Sequence, residues 1–329
     1  MFIDRSRERA ILAFLVVLGG ILAVFAPSFF SARNAADIFI NMSVVTIAAI
    51  GMTAVILTGQ IDISIGAQLA ACSTSVGLLA NAGVPLALAF LIGVILGMTF
   101  GAINGLLIAY ARIPSIVVTL ATMTIIRAVM IVVTNGSWIT LPPSFRELGG
   151  GTLLGVPNPI WFMGIALLIG NALLSHSVWG RSLYAVGSNP VAARLAGISL
   201  ERSLLSVFVF QGAMIGLATI AFTTRFTTIE PAAGQGFEFL VITAVVLGGT
   251  NVFGGSGTVI GSFVGALLVG VISTALVFLR VSVYWVDAVQ GAFILLAVGA
   301  DALRRQGFRW PRIPSRATRV QESQAQEAS

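Results

Sequence analysis

The chain has 329 residues, of which 57% are hydrophobic and 9% charged, and its formal net charge is +6. A mean hydropathy of +1.01 indicates an integral membrane protein rather than a soluble domain. All 18 basic residues are arginine, which excludes a lysine-dependent P-loop or Schiff base in this chain. The single cysteine, Cys72, and the single histidine, His176, exclude a disulfide framework and a zinc cluster.

Apolar runs of about 20 residues, the length of a membrane-spanning helix, recur along the chain. Between turn signals they predict ten transmembrane helices, at 10–26, 37–58, 66–81, 85–110, 114–134, 159–177, 203–222, 236–249, 257–279 and 284–302. The sequence therefore predicts an all-α integral membrane protein in which residues 1–303 form one transmembrane domain. Residues 304–329, first basic and then polar, are predicted to be a partly disordered cytoplasmic tail.

The arginines indicate how the helices are oriented. If the N-terminus is cytoplasmic and the helices alternate, Arg127 lies within a span and four arginines face outside, namely Arg33, Arg146, Arg225 and Arg280. The remaining thirteen face the cytoplasm, in agreement with the positive-inside rule, so both termini are predicted to be cytoplasmic. Topology and contact with anionic membrane lipid also explain the basic C-terminal stretch without a nucleic-acid site.

The segment GQIDISIGA, residues 59–67, places an acidic side chain between two apolar runs with no real loop. One interpretation is a broken helix whose polar groups at Gln60, Asp62 and Ser64 line a transport path. The other is that Asp62 caps the N-terminus of the next helix and accepts hydrogen bonds from backbone donors that lipid cannot satisfy. The two roles are compatible.

Glycines recur at four-residue spacing in the fourth and ninth predicted helices, which leaves one face of each helix nearly free of side chains. Such a face lets a neighbouring helix approach closely in lipid. The two helices would run in opposite directions, and each comes fourth in its half of the chain, as in an inverted repeat. These glycines are Gly93, Gly97, Gly101, Gly105, Gly257, Gly261 and Gly265.

Arg127 lies in the fifth predicted helix, where a charge at depth costs roughly 3 kcal/mol on insertion scales. Either its side chain extends to the outer interface or it belongs to the substrate path. Asn41, Asn104 and Gln211 are further polar residues within spans. Hydrogen bonds between packed helices are their expected role, and Asn104 is also a candidate for the substrate path.

Residues 178–202 form the longest predicted cytoplasmic loop, and the signals of a short helix occur within it at 189–197. Asn189 is the expected N-cap, Pro190 the first helical position and Gly197 the stop. A helix of about seven residues is unstable alone in water, so the protein's own surface or a cytoplasmic partner must hold it. The alternative is a plain connector.

Four segments resemble the permease subunits of bacterial ABC importers of the ribose and monosaccharide type: VILTGQIDISIGA at 55–67, ARIPSIVVTLATMTIIRA at 111–128, GRSLYAVGSNPVAARLAGI at 180–198 and VVLGGTNVFGGSGTVIGSFVGALLVG at 245–270. The resemblance implies alternating access by two permease copies, identical or different, in the bacterial inner membrane. It implies a periplasmic sugar-binding protein outside and ATPase subunits inside. ATP and Mg²⁺ would bind those subunits, and no cofactor would bind this chain.

The resemblance also implies that a coupling helix docks into a cleft on the ATPase, with the residues Asn189, Pro190, Val191, Ala192, Ala193, Arg194, Leu195 and Gly197. Val191 and Leu195 would share one face, the two alanines would keep the neighbouring sides thin, and Arg194 would pair with acids on the partner. Importers often carry Glu-Ala-Ala, three residues and Gly here, whereas this chain has Val191 in place of the glutamate. It also has Gln60 where many relatives have glycine.

Two other classes are weighed against the importer. A secondary transporter driven by an ion gradient would share the inverted repeat, but such carriers place several acids or histidines deep in the bundle. Asp62 is the only convincing acid in the first eight predicted spans. A membrane-embedded enzyme lacks a plausible nucleophile and base, so the chain is expected not to be an enzyme.

Overall fold

A computed structural model describes residues 16–17 and 19–281, together with the single positions 285, 288, 291, 292 and 295. A 3-10 helix, Pro27–Phe30, comes before the numbered elements. The α-helices are α1 Ala32–Leu57, α2 Ile65–Asn81, α3 Leu86–Ala109, α4 Ser115–Thr134, α5 Pro143–Gly150, α6 Asn158–His176, α7 Val178–Ser188, α8 Pro190–Leu195, α9 Leu200–Thr223, α10 Phe237–Leu247 and α11 Val259–Phe278.

Six helices in this part of the chain are long and apolar enough to cross a membrane: α1, α3, α4, α6, α9 and α11. The prediction of an all-α membrane protein is confirmed. Helix α10 has only 11 residues, about 16 Å of rise, which is roughly half the thickness of a hydrocarbon core. The predicted helix at 10–26 lies partly, and the one at 284–302 largely, outside the described residues, as does the whole tail at 304–329.

Two helices occur where the sequence predicts only connections. Helix α5 lies between α4 and α6, and α7 occupies the first part of the predicted loop at 178–202. The hydroxyl oxygen of Ser177 accepts the backbone N–H of Gly180 over 2.9 Å and so caps α7. Leu183 and Val186, three residues apart on one face, are buried. Helix α7 is therefore an amphipathic helix packed on the bundle.

Helix α1 is the central element. It packs against α6, α7, α9, α10 and α11, and every residue from Met42 to Thr58 is buried. The hydroxyl oxygen of Ser31 accepts the N–H of Asn34 over 3.2 Å and caps the start of this helix. With 26 residues the helix is about 39 Å long, so it connects the two ends of the molecule.

Short antiparallel strands mark one of these ends. β1, Ile139–Thr140, pairs with β4, Thr228–Ile229, and β2, Thr152–Leu153, pairs with β3, Val156–Pro157. The side chain of Asn81, the last residue of α2, donates to the carbonyl oxygen of Thr140 over 2.8 Å. We call this the ribbon end, and the end that holds α8 the α8 end.

Candidate transport path and coupling surface

A buried polar cluster lies where the chain leaves α1 and enters α2. The Asp62 carboxylate accepts hydrogen bonds from the backbone N–H of Ser64, over 2.9 Å, and from its hydroxyl, over 2.5 Å. The Gln68 amide donates to the Ser64 hydroxyl oxygen over 2.7 Å and to the second Asp62 oxygen over 3.4 Å. Asn104 of α3 donates to Ser64 Oγ over 3.0 Å and accepts from Thr122 of α4 over 2.7 Å. The cluster therefore joins α2, α3 and α4.

The chain between α1 and α2 is not helical, and Asp62 lies in this break. Ser64 is the N-cap residue of α2, but its side chain does not cap the helix. The carboxylate of Asp62 accepts the backbone N–H of Ser64 itself, two positions before the first donor that a cap usually satisfies. The completely buried carboxylate of Asp62 thus accepts a hydrogen bond from a backbone N–H at the start of a helix. Its role in lining a transport path stays a prediction.

The other predicted path residues do not join this cluster. Gln60 is half-buried in the turn after α1, where its backbone N–H donates to the carbonyl oxygen of Val55 over 3.3 Å. Arg127 is half-buried on α4, and its side chain makes no hydrogen bond or ion pair with any described residue. The structure instead adds Gln68 and Thr122, which were not predicted. Only Gln68 had a sequence signal, because it lies four residues after Ser64.

The glycine face of α3 packs against the backbone of α9. A Cβ added at Gly97 would clash with the carbonyl oxygen of Gly212, and one at Gly101 would clash with another α9 carbonyl oxygen. A Cβ at Gly105 would make a tight contact with the α9 backbone but would not clash. Gly93 faces a side chain of α2 instead. Because lipid supplies no hydrophobic drive between helices, this close backbone contact is what holds α3 and α9 together.

A second close contact joins α10 and α11. Gly261 and Gly265 of α11 lie against carbonyl oxygens in the C-terminal part of α10 and in the residue that follows it. Gly257 lies before the start of α11, although it was predicted within that helix, and it packs on the side chain of Thr250. The fourth predicted helix of each half therefore uses glycine for close approach, α3 to α9 and α11 to α10.

The predicted short helix is present as α8, residues 190–195, at the surface of the molecule. The side-chain oxygen of Asn189 accepts the backbone N–H of Ala192 over 3.0 Å, and Pro190 occupies the first helical position. Gly197 has a φ of +82°, which a residue with a side chain rarely adopts, and it ends the helix.

One face of α8 is exposed and the other is seated on the protein. Val191 and Leu195 are 71% and 86% exposed, and Ala192 is exposed beside them. Ala193 is only 4% exposed, so of the two alanines only Ala192 lies on the free side of the helix, and the contact with a partner stays a prediction. Ala193 faces the chain's own bundle, where a small side chain lets α8 lie close.

The basic residue of α8 has a partner within the chain. A guanidinium nitrogen of Arg194 lies 3.2 Å from a carboxylate oxygen of Glu201 in the first turn of α9. The hydroxyl of Ser199 donates to the other carboxylate oxygen over 3.3 Å. Arg194 was expected to pair with acids of another protein, but in this structure Glu201 supplies the acid.

Helix α7 anchors α8 to the end of α1. Gly187 lies directly against the carbonyl oxygen of Leu57, and the same oxygen accepts the backbone N–H of Gly255 over 2.9 Å. The Tyr184 hydroxyl donates to the carbonyl oxygen of Gly257 over 2.7 Å, and burial raises the pKa of this tyrosine. Helix α7, which leads directly into α8, therefore contacts both α1 and the segment before α11.

The N-termini of α2 and α10 meet inside the protein, at a place that we call the junction. A Cβ at Gly66 would clash with the carbonyl oxygen of Gly234, and the reverse also holds. Glu238, in the first turn of α10, is 5% exposed, and its Oε2 atom lies against Gly66. That oxygen has no hydrogen-bond partner among the described residues. Asp62 is thus not the only buried acid in the first eight predicted spans, and the expectation that it would be is wrong.

A polar cavity of about 550 Å³ opens at the ribbon end. The Arg225 guanidinium donates to the side-chain oxygen of Asn41, and Arg225 also lies over the ring of Phe226, 5.4 Å from its centre. Side chains of both charges line the cavity, so it can bind neutral polar groups. The polar and charged lining residues are Asn34, Asp37, Asn41, Arg146, Thr224 and Arg225.

Comparison with known proteins decides the family. Residues 34–298 match the family described as "Branched-chain amino acid transport system / permease component". The chain belongs to this permease family. The match includes the broken segment around Asp62, the glycine contacts, α8 and the junction, so all of these are features of a permease component and not of an enzyme.

Among curated relatives, the permease is similar to the ribose import permease protein of Escherichia coli strain K12, with 39% identity over 303 residues. That alignment covers 89% of this chain and 93% of the relative. The ribose import permease protein of Haemophilus influenzae is 36% identical, covering 89% and 92%. The autoinducer 2 import system permease protein of Salmonella typhi is also 36% identical, covering 89% and 85%. No solved structure matches the chain.

Proposed function

We propose that this permease carries a monosaccharide, or a closely related small polyhydroxylated solute, from the periplasm to the cytoplasm in an ATP-driven importer. The cargo is proposed from the relatives, whose names specify ribose and autoinducer 2 import. They align over most of both chains, so their similarity extends through the bundle as well as α8. The cargo class of a relative is a closer guide than the broad family description, which names branched-chain amino acids.

The exposed face of α8 is the observation that carries the proposal. Val191 and Leu195 lie four residues apart and project from a capped helix of six residues. Two exposed apolar side chains on a helix that α7 anchors to the bundle present a small ridge that fits a cleft on another protein. We assign that cleft to a separate ATPase subunit, which binds ATP and Mg²⁺.

The proposed orientation places the α8 end in the cytoplasm and the ribbon end in the periplasm. It rests on the distribution of arginines, with ten spans and both termini inside. Two pairs support an inverted repeat: α3 with α11, which both carry glycine faces, and α2 with α10, whose N-termini meet. In the bacterial inner membrane, a periplasmic sugar-binding protein then delivers cargo at the ribbon end, near the polar cavity.

Alternating access follows from the connections at the α8 end. Movement of the ATPase would displace α8 and α7, and α7 contacts Leu57 at the end of α1 directly. Because Gly255 bonds to the same carbonyl oxygen, the displacement also reaches the segment before α11. Two permease copies, identical or different, would enclose the path, with the Asp62 cluster along it. Residues 189–197 are the proposed coupling helix.

A carrier that works alone on an ion gradient is the second candidate. The buried acids Asp62 and Glu238 favour it, because such carriers use acids at depth. The family is described as the permease component of a transport system, and relatives are named as parts of import systems. A component requires partner subunits, so the ATP-driven importer is the better supported function.

Uptake into proteoliposomes tests the proposal. The permease is co-reconstituted with an ATPase subunit and a sugar-binding protein of the same organism, and labelled monosaccharides, beginning with ribose, are supplied outside. We expect uptake that requires ATP inside the liposomes and the binding protein outside. Uptake should stop when the ATPase cannot hydrolyse ATP. Uptake driven by a proton or sodium gradient without ATP would show the second candidate to be correct, and transport of no monosaccharide in the panel would contradict the cargo class.

A further inference from the structure

The junction of α2 and α10 holds a carboxylate that no described contact explains. Glu238 is 5% exposed, and its Oε2 atom is buried against Gly66 without a hydrogen-bond partner among the described residues. We propose that Glu238 is a cargo-binding residue that accepts hydrogen bonds from hydroxyl groups of the transported solute when the junction opens. The inference rests on the proposed function and adds a site to it.

The chemistry of the junction selects the kind of ligand. The first backbone N–H groups of a helix lack partners within the helix, and no side chain caps either α2 or α10. In α10 the N–H groups of the first and third helical residues already donate to the preceding turn. The donors therefore come from the start of α2, and Glu238 supplies an acceptor. The positive ends of two helix dipoles disfavour a cation, while Glu238 and nearby Asp62 disfavour an anion. A neutral hydroxyl group, which both donates and accepts, matches this combination of groups.

The contact between Gly66 and Gly234 shows how the site would form. Their backbones touch because neither residue has a side chain, so the junction is closed in this structure. Helices α2 and α10 hold the third place in the two proposed halves of the chain. Movement of one half against the other would separate their N-termini and expose Glu238 between them. The depth of the junction in the membrane follows from α10, which runs from the junction towards the α8 end. Its 11 residues cover roughly half of the hydrocarbon core.

A matched pair of substitutions tests the role of the carboxylate. Glu238→Gln keeps the size of the side chain and removes the charge, and Glu230→Gln makes the same change at an exposed position of the segment that leads to α10. In the complete reconstituted importer, we expect Glu238→Gln to lower ribose uptake per ATP hydrolysed at least tenfold, and Glu230→Gln to leave it unchanged. Glu238→Asp, which keeps the charge, should restore part of the uptake. Equal uptake by Glu238→Gln and wild type would overturn the inference.

Thiol labelling tests exposure independently of transport. Cys72 is the only cysteine of the chain and is buried, so a Cys72→Ala background gives a single reporter when Glu238→Cys is added. We expect a small maleimide to react slowly in the resting complex and at least tenfold faster during turnover with ATP and loaded binding protein. Equal labelling in both states would show that the junction does not open. If the wild-type importer moves no ribose or other monosaccharide, the proposed function fails first and the inference falls with it. Normal wild-type uptake with an inert Glu238 overturns the inference alone.

Discussion

The backbone N–H of Gly255 donates to the carbonyl oxygen of Leu57 over 2.9 Å, and this bond joins the last residue of α1 to the segment before α11. Gly187 of α7 lies against the same carbonyl oxygen. Three distant parts of the chain thus share one peptide group at the α8 end. A displacement of α7 cannot leave α1 unaffected, because no side chain lies between them to absorb it.

Substituting Gly187 tests this contact. Alanine would place a Cβ against the carbonyl oxygen of Leu57, and such overpacking commonly costs about 1–3 kcal/mol. We expect Gly187→Ala to lower the melting temperature of the purified permease and its ATP-driven uptake. Gly164→Ala in α6 is the control, because a Cβ there meets no atom within 4 Å and alanine favours a helix by up to about 1 kcal/mol. Equal melting of the two variants would contradict the contact.

The α3–α9 contact predicts a larger effect for a larger side chain. Gly97→Leu would push a four-carbon group into the backbone of α9 at Gly212, so we expect loss of folded, monodisperse protein. Gly261→Leu should act in the same way on the α10–α11 contact. Yield and size-exclusion profile in detergent measure both effects. Gly164→Leu is the matched control, and comparable yields for all three variants would refute the packing argument.

Loss of the Asp62 carboxylate should reduce stability before it changes cargo preference. Asp62→Ala leaves the buried N–H and hydroxyl of Ser64 without their acceptor, which costs about 1–3 kcal/mol. Asp62→Asn keeps one acceptor oxygen and should melt between alanine and wild type. Thermal unfolding of the three purified proteins gives the order. If Asp62→Ala and the wild-type permease have the same melting temperature, the hydrogen bonds of this cluster do not stabilise the fold.

Because Leu195 on α8 is exposed, we expect a substitution there to impair coupling to the ATPase without affecting folding of the permease. Leu195 is 86% exposed, so Leu195→Asp should leave the melting temperature of the permease unchanged. A charge in the proposed cleft would nevertheless reduce co-purification of the ATPase and ATP-driven uptake, by roughly tenfold or more if a buried leucine contributes about 2 kcal/mol. Leu154→Asp, at a position 85% exposed near the ribbon end and so far from α8, is the control for co-purification of the ATPase. Normal coupling in Leu195→Asp would show that α8 is only a connector.

The long helices and the short helix α8 could be predicted because their signals are local. Apolar runs between turns indicate the spans, and Asn189, Pro190 and Gly197 mark the ends of α8. The direction of Ala193 could not be predicted in this way. It depends on how α7 places α8 against the bundle, and α7 itself was missed because its polar residues resemble those of a connecting loop.

Polar groups that meet across helices were harder to predict than the helices. Thr122 and Asn104 come from different spans, and only the packing of α3 on α4 brings them together. Glu238 starts an apolar run, where a carboxylate usually lies at an interface and contacts water. Its burial follows from the short length of α10 and its contact with α2, which hydropathy alone does not reveal.

The ion pair between Arg194 and Glu201 also bears on which forces would hold the proposed ATPase partner. Because both charges are satisfied within the chain, the exposed ridge of α8 presents mainly the hydrocarbon of Val191 and Leu195. Salt screens the attraction between exposed charges, with a screening length of about 10 Å at 0.1 M salt. The free energy of burying apolar surface is not screened in this way. Assembly of this permease with an ATPase through α8 is therefore expected to tolerate high ionic strength.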